Sequence, residues 1–307
     1  MQRTAAVSAP EARITSEAAA YAGLSLATFA WASAFIAGKY VLKEMTPLTA
    51  GGVRYLVASS VLLPLAWPSR PNLAGLRQVL LPLCMMVTCG GLLYQWLFLL
   101  ALERTSATNA SLLIALNPVF TMLLSPLVGE RLERARIGGV LLALAGAATV
   151  ITRGQWSQVG DLAGHANSGD LIAVAAAVCW ASFNVASRRV VHVLSAAATN
   201  ALVYGIGGVV LTAVALPENP LQQLAHASLP ALAGIAVMAI GSSVLAGQLF
   251  LIGVRVVGVS RTVVFVYFIP VLTAIASVFW LGETFTGPQA LGGAAVLAGV
   301  YWTTRRS

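Results

Sequence analysis

The sequence predicts an all-α polytopic membrane protein, with ten transmembrane helices arranged as two inverted five-helix repeats. Three observations predict this fold class. The 307 residues are 58% apolar and only 9% charged, whereas soluble domains carry about 25% charged residues. The few charges are separated by uncharged runs long enough to cross a bilayer. The two halves of the chain also match each other in an ordered series of positions.

Five of the predicted spans are long uncharged runs, each able to form a helix of about 20 residues. They occupy residues 18–38, 78–102, 105–129, 262–282 and 284–304. Shorter or interrupted segments supply the other five spans, at residues 46–66, 137–151, 171–187, 194–216 and within 219–254. Because ten spans use about two thirds of the chain, no soluble catalytic or nucleic-acid-binding domain fits.

Basic residues determine the predicted orientation. Thirteen of the 18 Lys and Arg residues fall on the side that holds the N-terminus, one lies inside a span, and four fall on the other side: Lys39, Lys43, Arg104 and Arg153. Because positively charged loops stay in the cytoplasm, we expect both termini to be cytoplasmic. The net charge of +8 is then a topology signal, and it requires no nucleic-acid partner.

The repeat is visible in matched motifs. Trp31 opens the segment WASAFIAGKYV, and 149 residues later Trp180 opens WASFNVASRRV; Tyr55 and Tyr204 keep the same offset. Since each copy holds an odd number of spans, the second copy must enter the membrane from the opposite side, a common plan in secondary transporters. The predicted units are a cytoplasmic tail at 1–17, a first repeat at 18–151, a periplasmic loop at 152–169 and a second repeat at 170–304.

Several motifs resemble those of a known family. The WAS motif of span one, the spacing from Pro47 to Arg54 in span two, and the spacing from Pro118 to Glu130 in span four resemble the EamA family of the drug/metabolite transporter superfamily. The resemblance implies a bacterial inner-membrane exporter of amino acids or related metabolites, including aromatic amino acids. The second copy has Val203 where the first has Arg54, so this motif cannot act symmetrically.

Two prolines mark the predicted middle of the membrane. Pro118 in span four and its counterpart Pro270 in span nine each remove a backbone donor and free a carbonyl, which must face protein or a water-filled cavity. Kinked helices that line a binding site and purely structural kinks are the two interpretations. Asn109 and Asn117 offer amide groups to a substrate, with hydrogen bonding between helices as the alternative.

Aromatic and amide side chains predict the wall of a midplane cavity between the repeats. Buried Tyr and Gln side chains need polar partners in hydrocarbon, and a substrate or cavity water supplies them; packing is the alternative role. Such a wall suits a medium-sized zwitterion with an apolar part, and nucleoside-like or drug-like molecules also fit it. The candidate wall residues are Trp31, Tyr94, Gln95, Trp180, Asn184, Gln248 and Tyr267.

Charged residues inside the predicted spans are few and therefore informative. Arg54 is expected to be an anchor that snorkels outward, with a carboxylate clamp as the alternative. Lys39 is expected to be solvated at the outer end of span one, with an external gate as the alternative. No Asp or Glu lies near the middle of a span, so facilitated or weakly coupled transport is favoured over proton-coupled antiport.

The sequence offers no enzymatic motif. HExxH, GxSxG and the phosphate-binding glycine loop are all missing, so we expect no catalysis, no cofactor and no metal; a membrane-embedded enzyme is the minor alternative. The expected partners are a small-molecule substrate and the lipid bilayer. Gly139, Ala143 and Ala147 form a small-residue face, which favours packing within a monomer over a dimer interface.

Overall fold

The structure is a computed structural model that describes residues 16–69, 73–128, 137–155, 167–258, 261–262 and 264–304. The predicted tail up to residue 15, most of the predicted connecting loop, and Glu130 lie outside the described residues. The described residues contain helices and no strand. In the first half, five helices form the bundle: α1 Glu17–Val41, α2 Pro47–Ala66, α3 Leu80–Arg104, α4 Ala107–Leu124 and α5 Ile137–Ile151.

Five further helices build the second half of the described bundle: α6 Ser168–Val190, α7 Ala196–Val214, α8 Leu229–Val257, α9 Phe265–Leu281 and α10 Gly287–Thr304. Seven of the described helices are long and apolar enough to cross a membrane, and α5 and α9 are shorter apolar helices. The all-helical, multi-pass character is confirmed, whereas ten crossings remain a prediction.

Helix starts follow from capping residues at matched positions of the two halves. The Thr46 hydroxyl accepts a hydrogen bond from the Thr49 amide at the start of α2. Ser195, 149 residues later, accepts one from the Ala198 amide at the start of α7. Each hydroxyl satisfies an amide that has no partner within its own helix.

Matching helices of the two halves pack against each other in antiparallel pairs. Gly52 of α2 lies against Thr212 of α7, and Gly208 of α7 lies 2.8 Å, measured from an added Cβ, from the Leu56 amide nitrogen. Residue numbers increase along α2 in the direction in which they decrease along α7, so the two helices run antiparallel. The absence of a Cβ allows this close approach.

The pair α5 and α10 repeats this pattern. Gly146 lies against Gly292, and Gly299 lies against Ala143, so these helices also run antiparallel. An axis that relates antiparallel equivalent helices is perpendicular to them, which is the geometry that an inverted repeat requires.

The first, third and fourth helices of each half pack against helices of the other half. Helix α1 packs on α8, where Gly38 meets Met238, and α6 packs on α3, where Gly90 meets Phe183. Helix α1 also packs on α9, and α6 on α4. The first helix of each half is thus enclosed by the third and fourth helices of the other half, which places both first helices at the centre.

Backbone irregularities occur at equivalent places in both halves. Helices α3 and α8 each contain a π-helical stretch, Met86–Tyr94 and Val237–Ala246. Helix α4 is interrupted at residues 115–116, shortly before Pro118, and a 3₁₀ turn, Val264–Tyr267, overlaps the start of α9 before Pro270. π-helical turns are frequent at functional sites, and all four irregularities lie beside the centre of the bundle.

Candidate functional site

A small cavity lies at the centre of the bundle, between the two halves. Its volume is about 50 Å³, enough for one or two water molecules. Both halves contribute to its wall, since Trp31 and Trp180 come from the first helix of each. The aromatic lining residues are Trp31, Phe35, Tyr55, Tyr94, Phe98, Trp180 and Tyr204.

The aromatic rings of the cavity contact one another across the symmetry axis. Trp31 and Trp180 meet edge to face with ring centroids 6.2 Å apart, and Tyr94 lies 4.6 Å from Trp180. Tyr55 and Tyr204 lie 4.5 Å apart. Such ring pairs prefer offset or edge-to-face geometry. The wall is therefore a continuous aromatic surface.

Among the described residues, Arg54 is the charged residue that lines the cavity, and its position corrects the sequence-based interpretation. It is only 6% exposed. Its Nε donates to Ser243 Oγ and a terminal nitrogen donates to Ser242 Oγ, both at 2.9 Å. The expectation that Arg54 snorkels outward was wrong, because the π-helical stretch of α8 covers it and provides two hydroxyl acceptors.

The matching position in the second half has no charge. Val203 of α7 occupies the place of Arg54, and it packs on the π-helical stretch of α3 at Gly91. Gly90 and Gly91 stand 152 residues before Ser242 and Ser243. At one contact between the halves, Arg54 of α2 meets two serines of α8, whereas at the equivalent contact Val203 of α7 meets the glycine pair of α3. The cavity is therefore chemically asymmetric.

Asn117 lines the cavity at the interruption of α4. Pro118 cannot donate to the Ile114 carbonyl four residues earlier, and Asn117 Nδ2 donates to that carbonyl instead, at 3.1 Å. Asn117 Oδ1 accepts from Asn184 Nδ2 at 3.3 Å. Asn117 therefore faces the cavity, while Pro118 and Asn184 are buried beside it and do not line it.

Pro270 lines the cavity on α9, but Tyr267 does not. The Tyr267 side chain is buried, and its hydroxyl donates to the Val300 carbonyl of α10 at 3.4 Å. A residue one turn before a lining residue was expected to share its face. The 3₁₀ turn before Phe268 changes the helical phase, which accounts for the different direction.

Neither predicted glutamine lies on the cavity wall. Gln95 is fully buried against Gly51 of α2, and its amide nitrogen and oxygen have no hydrogen-bond partner. Gln248 donates to the Ala196 carbonyl at the start of α7, at 3.2 Å. Both side chains thus lie between helices of their own half.

Lys39 and Asn109 lie in a second, wider pocket of about 800 Å³ at one end of the bundle. Lys39 Nζ donates to the Thr105 carbonyl at 2.6 Å. Asp170, which is only 1% exposed, accepts from the Thr105 hydroxyl and from Asn109 Nδ2. Gln289 Nε2 donates to Asn109 Oδ1 at 2.7 Å. This polar network joins α1, α4, α6 and α10.

Glu283 reinforces the same end of the bundle. Its carboxylate accepts from the amides of Ala107 and Thr108 at 2.7 and 3.1 Å, and from the Thr108 hydroxyl at 2.8 Å. A carboxylate at a helix N-terminus is stabilised by the free amides and the helix dipole. The network and this cap therefore join helices of both halves at the Lys39 end of the bundle.

Sequence reasoning missed several of these residues. Tyr55 and Tyr204 were identified only as a repeat pair, although equivalent residues of opposed copies come into contact where they lie near the symmetry axis. Ser242 and Asp170 gave no signal, because a serine in an apolar span and an acid at a span end are both common. Among the described residues, no cluster of His, Cys, Asp or Glu side chains forms a metal-binding group.

The profile of the EamA-like transporter family matches this chain twice, over residues 18–152 and 167–305. The chain belongs to the EamA-like transporter family. This confirms the resemblance seen in the motifs, and the double match confirms the two-repeat architecture. The protein is therefore a multi-pass membrane protein of a transporter family.

Three relatives show the range of this EamA-like group. "Uncharacterized transporter YyaM" of Bacillus subtilis is 29% identical, over 87% of each chain. "Probable terminal-alkyne amino-acid exporter" of Streptantibioticus cattleyicolor is 28% identical, over 92% of this chain and 93% of the relative. "Aromatic amino acid exporter YddG" of Ancylobacter novellus is 35% identical over 43% of this chain and 52% of the relative.

Proposed function

We propose that this EamA-like protein is a secondary transporter of the bacterial inner membrane that exports amino acids or related metabolites by alternating access. The observation that carries the proposal is the central cavity, where Trp31, Trp180 and Tyr94 meet Arg54 at the interface of the two halves. Aromatic rings suit an apolar side chain, and a guanidinium suits a carboxylate. Two relatives whose names specify amino-acid export support the same substrate class.

The two halves provide the proposed mechanism. If equivalent helices exchange conformations, a site on the symmetry axis opens alternately to the two faces of the membrane. The cavity of about 50 Å³ is far below the roughly 300 Å³ or more of ordinary ligand pockets. Substrate binding therefore requires the surrounding helices to move apart, starting from this compact arrangement.

In the proposed topology, ten helices cross the membrane, both termini are cytoplasmic, and the Lys39 end faces the periplasm. Basic residues are scarce at that end, as the positive-inside rule expects. The network of Lys39, Thr105 and Asp170, together with the Glu283 cap, then forms the periplasmic gate. Release of substrate requires these hydrogen bonds to separate.

Proton-coupled antiport is the second candidate mechanism, and Asp170 is the observation that favours it. A buried carboxylate within a gate can link protonation to opening. The central cavity has no acidic lining residue within the described chain, which favours facilitated transport instead. Strict dependence of flux on an imposed pH gradient would establish antiport.

Reconstitution tests the proposal. Liposomes that contain the purified protein are loaded with unlabelled amino acids. The uptake of labelled amino acids and their metabolites by counterflow is then measured, with aromatic compounds tested first. We expect saturable counterflow that Trp180→Ala reduces at least about tenfold, since ring contacts in a binding site are worth a kcal/mol or more each. Phe279→Ala, on an exposed surface, is the matched control. Chemical conversion of the substrate, or an ohmic current, would contradict a transporter.

A further inference from the structure

The charge balance of the central cavity specifies the substrate more narrowly. We infer that the transported solute is an organic monoanion, a carboxylate of net charge −1 with an aromatic or apolar body. N-acylated or deaminated amino acids belong to this class, whereas free amino acids are zwitterions of net charge zero. The inference rests on the proposed function and concerns the same cavity.

Arg54 is hydrogen-bonded to neighbouring side chains, but no described residue provides a counter-charge beside it. A guanidinium has five N–H donors, and two of them are used by the hydroxyls of Ser242 and Ser243. Hydroxyl groups carry no formal charge. A buried charge without a counter-charge is costly, especially within a membrane. The free cavity therefore carries a net positive charge that a ligand can balance.

The acidic residues of the described chain are too distant to provide this balance. Arg54 lies about 10 Å along α2 from the first residue of that helix, whereas the acids occupy helix ends. Four of them accept hydrogen bonds from polar groups there, and Glu17 pairs with Arg261. The six described acids are Glu17, Glu44, Glu103, Asp170, Glu218 and Glu283.

The asymmetry between the two halves limits the charge to one. Because Val203 replaces Arg54 in the second half, the described residues of the wall supply one guanidinium rather than two. A monoanion brings the sum of charges to zero, a zwitterion leaves it at +1, and a cation raises it to +2. In a medium of low dielectric constant the neutral sum is favoured.

An ammonium group would find neutral acceptors but no carboxylate in the described wall of this cavity. Asn117 Oδ1 accepts from Asn184 and has one further lone pair. Aromatic faces attract cations, but Arg54 itself lies 5.6 Å from the Tyr55 ring centroid and 5.8 Å from that of Phe98. Those two faces are thus occupied by a cation of the protein, which repels a second cation.

Net charge also supplies a driving force for export. The cytoplasm of a bacterial cell is electrically negative, so the membrane potential drives a monoanion outward. Export of such a solute needs no coupled proton. This agrees with a cavity wall that has an arginine and, in the described chain, no carboxylate.

The test compares three labelled probes with a related phenylethyl body and different charge: N-acetyl-L-phenylalanine, L-phenylalanine and 2-phenylethylamine. Initial efflux rates are measured at neutral pH from proteoliposomes, after subtraction of protein-free liposomes. We expect N-acetyl-L-phenylalanine to leave at least about tenfold faster than L-phenylalanine, and faster still under an inside-negative potassium diffusion potential. Arg54→Gln should abolish the preference, and Arg54→Lys should keep part of it.

Lys43→Gln is the matched control, because it removes one positive charge from an exposed site beside Tyr40; it should leave the preference unchanged. Faster efflux of L-phenylalanine or 2-phenylethylamine would overturn the inference while the proposed function stands. If neither these probes nor any other amino acid or amino-acid metabolite is transported, the proposed function and the inference are both overturned. If Arg54→Gln does not fold, the order of the three rates in the wild-type protein decides.

Discussion

Tyr55 and Tyr204, which are 149 residues apart in the chain, lie with their ring centroids 4.5 Å apart and an interplanar angle of 32°. They occupy equivalent positions of the two halves, so their contact marks the symmetry axis. Both are buried and both line the central cavity. This pair therefore connects the duplication visible in the sequence with the site that the duplication creates.

The tyrosine pair predicts strong coupling between the two halves. Tyr55→Ala and Tyr204→Ala should each lower the free energy of unfolding by about 3–5 kcal/mol, as for other large buried aromatic residues. A double-mutant cycle should give a coupling energy of about 0.5–1.5 kcal/mol. Thermal denaturation of the purified protein in detergent measures both. Additive losses from the two substitutions would contradict a direct contact.

The sequence predicted this architecture well, because hydropathy and internal repetition act over whole helices. Long uncharged runs identify helices, and matched motifs such as those at Trp31 and Trp180 identify equivalent ones. Equivalent helices of opposed copies then meet near the axis for geometric reasons. The positions of Trp31 and Trp180 midway along their spans, and the need of a buried Tyr94 for a polar partner, predict a shared wall.

Side-chain environments were harder to predict, since they depend on which neighbouring helix covers each residue. Arg54 was expected to reach outward because its depth was judged from its own helix alone. Its actual partners, Ser242 and Ser243, lie in a π-helical stretch that no sequence pattern predicts. Gln95 and Tyr267 were likewise assigned to the wrong face, because π and 3₁₀ turns shift the helical phase.

The buried carboxylate of Asp170 predicts a gating phenotype. Asp170→Asn keeps one oxygen that can still accept from Thr105 and Asn109. It replaces the second oxygen, to which Asn109 Nδ2 also donates at 3.3 Å, with an NH₂ group that cannot accept, and it removes the negative charge. We expect the Lys39 end to open more often, so that a cysteine introduced at Ser106 reacts several-fold faster with a membrane-impermeant maleimide. Glu103→Gln, on the exposed rim of the same pocket, is the control. Equal reaction rates in both variants would show that Asp170 does not hold the gate.

Glu44 predicts a pH dependence at the loop after α1. The amide and hydroxyl of Ser228 donate to its carboxylate, which holds the pKa of Glu44 below its usual value. A lowered pKa means that the stabilisation is complete above the ordinary value of about 4.3 and is lost as the pH falls through the lowered pKa. The melting temperatures of wild type and Glu44→Gln should therefore differ at neutral pH and converge in acid. A difference that grows in acid would contradict this sign.

Gln95 predicts a stabilising substitution. Its amide is buried without hydrogen-bond partners, so Gln95→Leu should remove a penalty of about 1–3 kcal/mol and raise the melting temperature by a few degrees. Gln248→Leu is the matched control and should lower it, because that amide donates to Ala196. A lower melting temperature for Gln95→Leu would mean that the amide has a partner, such as a buried water molecule.

Two glycines in the π-helical stretches predict effects of opposite sign. A Cβ on Gly91 of α3 would lie 2.7 Å from the Val203 carbonyl oxygen, whereas one on Gly241 of α8 would meet no atom within 4 Å. The carbonyl belongs to the backbone of α7 and cannot move without moving that helix. Gly91→Ala should therefore destabilise the protein by about 1–3 kcal/mol. Gly241→Ala should stabilise it by up to about 1 kcal/mol through reduced backbone entropy. The melting temperatures of the two variants measure these effects. Equal shifts would contradict the close packing of α3 on α7, the contact that forms the uncharged side of the central cavity.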